Sequence, residues 1–246
     1  MSGFSHGRTA FGTAAETTDG PSTSVQAPLH GEVLNRWEPL VIACWGTALR
    51  PMEPGDVTAV CDIHRRVFPD YFLTRLGRNV LECYYRGVLQ YEHSYAVVYQ
   101  EANTVKGFFT GLFAPDDFYR FMVGRFGFRL AMAVLPGALR PSVLRRLLRA
   151  VWNALHTSEL TDCRAETDCE MTSMGILPEA QGRMAGILMV VSFMLEAKRR
   201  RRRKIAGGVR REERSLLKMY QLLGFEFAGL QHKSDGKDIQ LISCVL

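Results

Sequence analysis

The sequence predicts an α+β fold (three layers) in which a mixed, mostly antiparallel sheet carries helices on both faces. Three observations lead there. Short alternating apolar runs cluster in the first half and are joined by a tight turn at Glu101-Ala102-Asn103. The second half then runs strand, helix, strand, helix, strand, and closes on two more strands. With 246 residues and 47% hydrophobic content, the chain can bury one large core.

The elements follow in order. Residues 1–36 are dominated by Gly, Ser, Thr and Ala, and such a composition buries too little apolar surface to offset the entropy of ordering. Residues 1–46 are therefore expected to be a poorly ordered extension, with the domain spanning 47–246. Asp56 caps a first helix whose apolar positions Val57, Val60, Cys61, His64 and Phe68 recur at helical spacing. The run Phe68-Pro69-Asp70-Tyr71-Phe72 breaks it, and a second helix is expected over Thr74–Tyr91. Ser94–Gln100 and Val105–Phe113 are strands. Residues 114–156 form a helical insertion between the third and fourth strands, interrupted at Pro136-Gly137 and Pro141. Glu170–Leu177 is a strand, Ile187–Arg200 a helix apolar nearly all round, Ile205–Val209 a strand, and Arg211–Leu223 a helix. Gly224 fits the left-handed position after a helix end. Phe225–Gln231 and Lys237–Val245 complete the sheet.

Bulk properties narrow the class. The N-terminus lacks the basic start and apolar run of a secretory signal, and no uncharged apolar stretch is long enough to span a bilayer. The six cysteines include no C-x-x-C pair, which fits a reduced, cytoplasmic protein. Cys163 and Cys169 have too few neighbouring ligand types for a metal site, and none is expected. The net charge is +6, densest over Lys198–Lys204. A basic run at a helix C-terminus complements the dipole, and without interleaved aromatics it argues against a nucleic-acid partner.

The most informative stretch is Thr172–Gly186. An apolar strand meets Pro178, then a short polar loop, then a helix start. The first N–H groups of a helix lack internal partners and sit at the positive end of its dipole, so a phosphate or pyrophosphate fits there. The plainer alternative is a strand-to-helix turn with no ligand.

Pro178-Glu179-Ala180-Gln181-Gly182-Arg183-Met184-Ala185-Gly186, followed by Lys218-Met219-Tyr220 and Leu223-Gly224-Phe225, resembles the GCN5-related N-acetyltransferases, the GNAT superfamily. Leu49–Asp56 is similar to that family's first strand and helix cap, and Lys106–Gly111 to its third strand, so the resemblance covers roughly residues 47–246. It implies a GNAT-like sheet and acetyl-CoA as acyl-donor cosubstrate. The pantetheine arm would lie along the fourth strand beside Met174, Ile176 and Leu177. The pyrophosphate would sit on Gln181, Gly182, Arg183, Met184, Ala185 and Gly186. Met184 stands where the family usually has glycine, and Glu213 where it has asparagine.

The resemblance further implies direct attack of a bound primary amine on the thioester, in a ternary complex, with a fourth-strand N–H at the oxyanion. Glu170, at the start of that strand, is the candidate base and Tyr220 the candidate acid. Tyr71 and Phe72 would wall the acceptor pocket. The acceptor is expected to be a small amine, such as an amino sugar or another anionic or amphiphilic metabolite. Arginines between Arg120 and Arg149 alternate with apolar residues in the insert, which suits a packed helix face, a lid over the acceptor, or contact with a membrane surface. A monomer and a homodimer both remain open. The competing readings are transfer of another acyl group, O-acylation, or a non-catalytic GNAT-like module that binds CoA, or nothing, and works through its arginine-rich surfaces.

Overall fold

The computed structural model describes residues 30–138, 168–232 and 238–246. In chain order the elements are α1 (His30–Cys44), β1 (Leu49–Pro51), α2 (Val57–Val67), α3 (Phe72–Leu76), α4 (Arg78–Gln90), β2 (Ser94–Glu101), β3 (Thr104–Leu112), α5 (Pro115–Ala138), β4 (Cys169–Ile176), α6 (Ala185–Arg199), β5 (Lys204–Arg210), α7 (Arg214–Leu222), β6 (Glu226–His232) and β7 (Asp238–Val245). Short 3-10 turns at Pro54–Asp56 and Pro178–Ala180 lead into α2 and towards α6. The strands form one sheet in the order β1-β2-β3-β4-β5-β7-β6. Every neighbouring pair is antiparallel except β4–β5, which is parallel.

Alternation along the strands separates two faces. Phe109, Cys169, Met171, Ile205 and Val209 join α1, α6 and α7 in one core cluster. Val98 and Phe108 point the other way, into a cluster built by α2 and α4. A third cluster fixes α5 to α4 through Cys83, Val88, Phe118, Met122 and Phe126. α6 lies on the first face because the β4–α6–β5 crossover is a parallel connection, which needs a covering helix. Its burial is correspondingly deep, from Leu188 through Met194.

Local chemistry explains the joints. The Asp56 carboxylate accepts the Glu53 N–H at 2.8 Å and the Arg50 guanidinium at 2.7 and 2.9 Å, which ties β1 to the start of α2. Burial opposes the Asp56 charge, but the Arg50 and Glu53 hydrogen bonds outweigh it and hold the pKa below its ordinary value. The β2–β3 turn places Ala102 and Asn103 at φ +47 and +60, the paired left-handed geometry that matches strand twist in a tight hairpin.

The sequence-based boundaries need four adjustments. Residues 30–44, expected to belong to a poorly ordered extension, form α1, whose Val33, Leu34 and Val41 are buried against the α6 face. The extension reads as polar because only one stripe of this helix is apolar. The expected helix over Thr74–Tyr91 is two helices, divided at Gly77 with φ +100. α5 continues through Pro136-Gly137 as far as Ala138, past the interruption expected there. The helix expected over Arg211–Leu223 begins at Arg214, after a turn closed by Glu213 N–H to Arg210 C=O. Residues 1–29 and 139–167, which hold the remainder of the expected extension and insert and Cys163, lie outside the described residues.

The basic run works as a helix stop. Arg199 and Arg200 pair with Glu196 at 2.7 Å, and the Arg200 guanidinium lies 4.3 Å from the Phe113 ring centroid. Arg201 takes φ +56, the left-handed position more often given to glycine, and the Arg203 N–H is caught by Asp168 at 2.7 Å.

Candidate active site

The sheet opens at its centre. β4 and β5 pair only at Cys169↔Ile205 and Glu170↔Ala206. Beyond that rung β4 pairs with β3 alone and β5 with β7 alone. The result is a fork flanked by the unpaired edges of Met171–Ile176 and Gly207–Arg210. A backbone edge without a partner strand can pair with an extended ligand.

On the α6 face the fork meets the loop that the sequence singles out. Gly182 takes φ +78 and Met184 φ +60, and Met184 is the N-cap of α6. Among the described residues, none of the N–H groups from Gly182 through Ile187 donates to a backbone carbonyl; the first such bond is Leu188 N–H to Met184 C=O. A left-handed residue followed by a right-handed one turns successive N–H groups towards one point, an anion-binding concavity. Gln181 is fixed by its side-chain amide on the Ile176 carbonyl, and Arg183 by Glu101 at 2.6 Å. The Met184 side chain is 44% exposed.

Gly186 sits where α6 approaches both β4 and α7. A Cβ there would lie 3.2 Å from Met219 Sδ, 3.4 Å from Ile176 Cδ1 and 3.8 Å from Met174 Cε. Met174 and Ile176 thus face α6, and Met219 reaches across from α7 into the same gap. Leu177 instead turns to the α2–α4 cluster, its N–H held by the Lys106 carbonyl. The cradle fits a pyrophosphate: its donors are main-chain, no acidic side chain lies within 181–187, and the side chain between α6 and α7 is a flexible thioether.

Tyr220 is 4% exposed and packs edge-on against Phe225, 5.1 Å between ring centroids. Burial pushes its phenol pKa well up. It belongs to the α6-side cluster. Glu213 is the residue from which α7 starts, its carbonyl accepting the Leu217 N–H.

The α2–α4 face of the fork is polar. Glu170 is half-buried at the last β4–β5 rung. Its charge is felt by Tyr84, whose pKa is raised chiefly by burial, then by Tyr119, with Thr172 opposing and Glu170 adding. The β3–β4 register slips between Thr110 and Gly111, so Thr172 is an extra residue on β4. The Thr172 hydroxyl meets the Thr110 hydroxyl at 2.8 Å and the Thr110 carbonyl at 3.0 Å. Its neighbour Ser173 interacts with Tyr85, and the Tyr85 hydroxyl lies 2.6 Å from His64 Nδ1. His64 is 2% exposed and ringed by Phe68, Tyr85 and Phe108. Burial lowers its pKa to about 4, so it is neutral at physiological pH.

Tyr71 and Phe72 are both half-buried between α2 and α4. Tyr71 reaches β5, where the Arg210 guanidinium carbon sits 3.9 Å from its ring centroid. The sequence reading left His64, Thr172 and Ser173 without a role and did not single out Tyr84, Tyr85 or Arg210. Strict strand alternation sends Thr172 and Ser173 to opposite faces; only the bulge turns both towards α4. A cleft of about 720 Å³ lies elsewhere, between α1, α6 and β2 around Trp45, Tyr95 and Ser192.

Solved structures share this architecture. The chain aligns over 80% of its length with an N-acetyltransferase from Staphylococcus aureus Mu50, covering 96% of that chain at TM-score 0.52 and 15% identity. A ribosomal-protein-alanine N-acetyltransferase from Brucella melitensis is covered over 99% of its length, with 80% of this chain, at TM-score 0.52 and 13% identity. The protein yncA from Salmonella typhimurium, solved with its cofactor acetyl-CoA, is covered over 92%, again with 80% of this chain, at TM-score 0.53 and 12% identity. The fold is therefore that of the GNAT superfamily. No protein-family model matches the sequence, and no curated protein matches it. No helix among the described residues is long and apolar enough to cross a membrane.

Proposed function

We propose that the protein is an acetyl-CoA-dependent N-acetyltransferase acting on the primary amine of a small molecule, by direct attack in a ternary complex. The observation that carries this reading is the run of undonated main-chain N–H groups from Gly182 to Ile187, set beside the open edge of β4. That pair suits a ligand with a diphosphate at one end and an extended amide-bearing arm at the other, which is the chemistry of CoA.

Acetyl-CoA, when bound, supplies the activated thioester carbonyl. Gly182–Gly186 hold the diphosphate through backbone donors, and Met174 and Ile176 contribute the strand along which the arm runs, with Leu177 just beyond its end. Glu170, at the rung where the fork opens, accepts the proton of the attacking amine. Backbone N–H groups of β4 steady the negative charge that develops on the carbonyl oxygen. Tyr220 keeps its proton at neutral pH because burial raises its pKa, so its role is that of a donor to the departing sulfur.

A thermal-shift titration tests the reading. Acetyl-CoA and free CoA raise the melting temperature by mass action if they bind the native state. A screen of amine acceptors with free-thiol detection then reads turnover. Met219, lying in the gap between α6 and α7, favours a second reading, a GNAT-like module without catalysis. A melting temperature that ignores millimolar acetyl-CoA selects the module; a shift with amine-dependent thiol release selects the enzyme.

A further inference from the structure

We infer that Arg210, held over the Tyr71 ring, is the anion-recognising group of the acceptor pocket, and that the amine acetylated here, on the acetyltransferase reading, carries an anionic group a few bonds from its nitrogen.

The placement comes from strand alternation. Ile205 and Val209 face the α6 cluster, so Ala206, Gly208 and Arg210 face the α2–α4 side, where Tyr71 meets Arg210. Ala206 is the β5 partner of Glu170. Arg210 lies four residues further out, about 13 Å along an extended strand. The two β5 residues on that face before Arg210 are Ala206 and Gly208, so β5 carries nothing larger than a methyl group there. The α2–α4 side of the fork thus has a carboxylate at its inner end and a guanidinium at its outer end. A molecule with an amine and an anion fits it one way round: amine inward to Glu170, anion outward to Arg210. The reverse orientation sets like charges together.

Arg210 is free to serve. It is half-buried, and among the described residues it forms no ion pair, whereas its neighbour Arg211 reaches Asp238 at 3.8 Å. The charges of Glu213 and Glu212 act on Tyr71, but both residues are exposed and water and salt screen them. An aromatic ring under one face of a guanidinium supports it without using its N–H groups, which lie in the plane. The fork of donors stays available for a carboxylate or phosphate, bound bidentately.

The experiment measures binding directly, by ligand-observed NMR on the full chain. The probes are ω-amino carboxylates from β-alanine to ε-aminocaproate, each beside its carboxamide, and O-phosphoethanolamine beside ethanolamine. The expected result is a preference of about tenfold for at least one anionic member over its neutral partner, the scale of one charge-assisted hydrogen-bonded contact. Arg210→Gln abolishes that preference and Arg210→Lys keeps part of it. In turnover, Arg210→Gln raises KM for the anionic amine and leaves kcat and the acetyl-CoA melting shift as they were. Equal binding of charged and neutral partners to the unmodified protein overturns the inference, as does a preference that survives Arg210→Gln. Should that variant not fold, Tyr71→Leu removes the ring beneath the guanidinium, and an undiminished preference there also overturns it. The donor site is read separately. An Arg210-dependent preference with no acetyl-CoA shift sinks acetyl transfer and leaves the anion site, and an acetyl-CoA shift without the preference does the opposite.

Discussion

The two sides of the β4–β5 fork are made of different material. On the α6 side, the features that suit a ligand are main-chain: N–H groups from Gly182 to Ile187 and the unpaired edge of β4. On the α2–α4 side they are side chains: Glu170, Thr172, Ser173, Tyr84, Tyr85, His64, Tyr71 and Arg210. Main-chain donors survive replacement of the residue that carries them, so long as φ and ψ are kept. Side-chain networks do not. The first side is therefore suited to a constant ligand, and the second to a selected one.

The sharpest way to break this contrast is Glu170→Gln. If the α2–α4 side carries the proton transfer, kcat falls by about a hundredfold or more while the acetyl-CoA melting shift is unchanged. A variant with full turnover would return Glu170 to a purely structural place on β4.

His64 gives the next largest effect, on stability. Its folded pKa of about 4 lies below the ordinary value of 6.5, so the unfolded chain binds the proton first. Stability from this group is complete above about pH 6.5 and is lost as pH falls towards 4, by roughly 3 kcal/mol at the limit. Urea melts across that window check the slope. His64→Gln, less stable throughout because Tyr85 loses its partner, flattens the same stretch of the curve.

Tyr220→Phe tests the acid on the α6 side. A fall of about tenfold in kcat with unchanged acetyl-CoA binding is expected if the phenol protonates the departing thiolate. Turnover equal to that of the unmodified protein removes the role.

Met184→Gly is the smallest and most pointed change. Methionine at φ +60 pays a conformational cost that glycine avoids, so the variant gains up to about 1 kcal/mol, lessened by the greater freedom of its unfolded chain. Acetyl-CoA affinity stays within about twofold, because the N–H groups remain where they were. A large loss would mean that the thioether itself contacts the ligand, against the main-chain character of this side.

Much of the architecture was legible in one dimension. Apolar alternation, the Asn103 turn, the Pro178 break and the Gly224 stop are local signals, and each acts within a few residues of itself; Asp56 stands at the start of α2 but its carboxylate holds the Glu53 N–H and Arg50 rather than capping the helix. The loop at Gln181–Gly186 was legible for the same reason, since a helix start exposes donors whatever packs around it. α1 was not, because its apolar stripe gains meaning only from the α6 surface it covers. The division at Gly77 was missed because an isolated glycine reads equally as a tolerated helix residue.

The α2–α4 side of the fork was decided by tertiary structure alone. Glu170 and Ala206 become neighbours only when β5 docks beside β4, and Tyr71 meets Arg210 only after that docking. The bulge at Thr172 is a property of pairing with β3, not of the β4 sequence. Local sequence fixes backbone conformation through short-range sterics and hydrogen bonding, and with it the cradle of N–H groups. Long-range burial chooses which distant side chains share a face, and here that choice sets Glu170 and Arg210 on the same side of the β4–β5 fork.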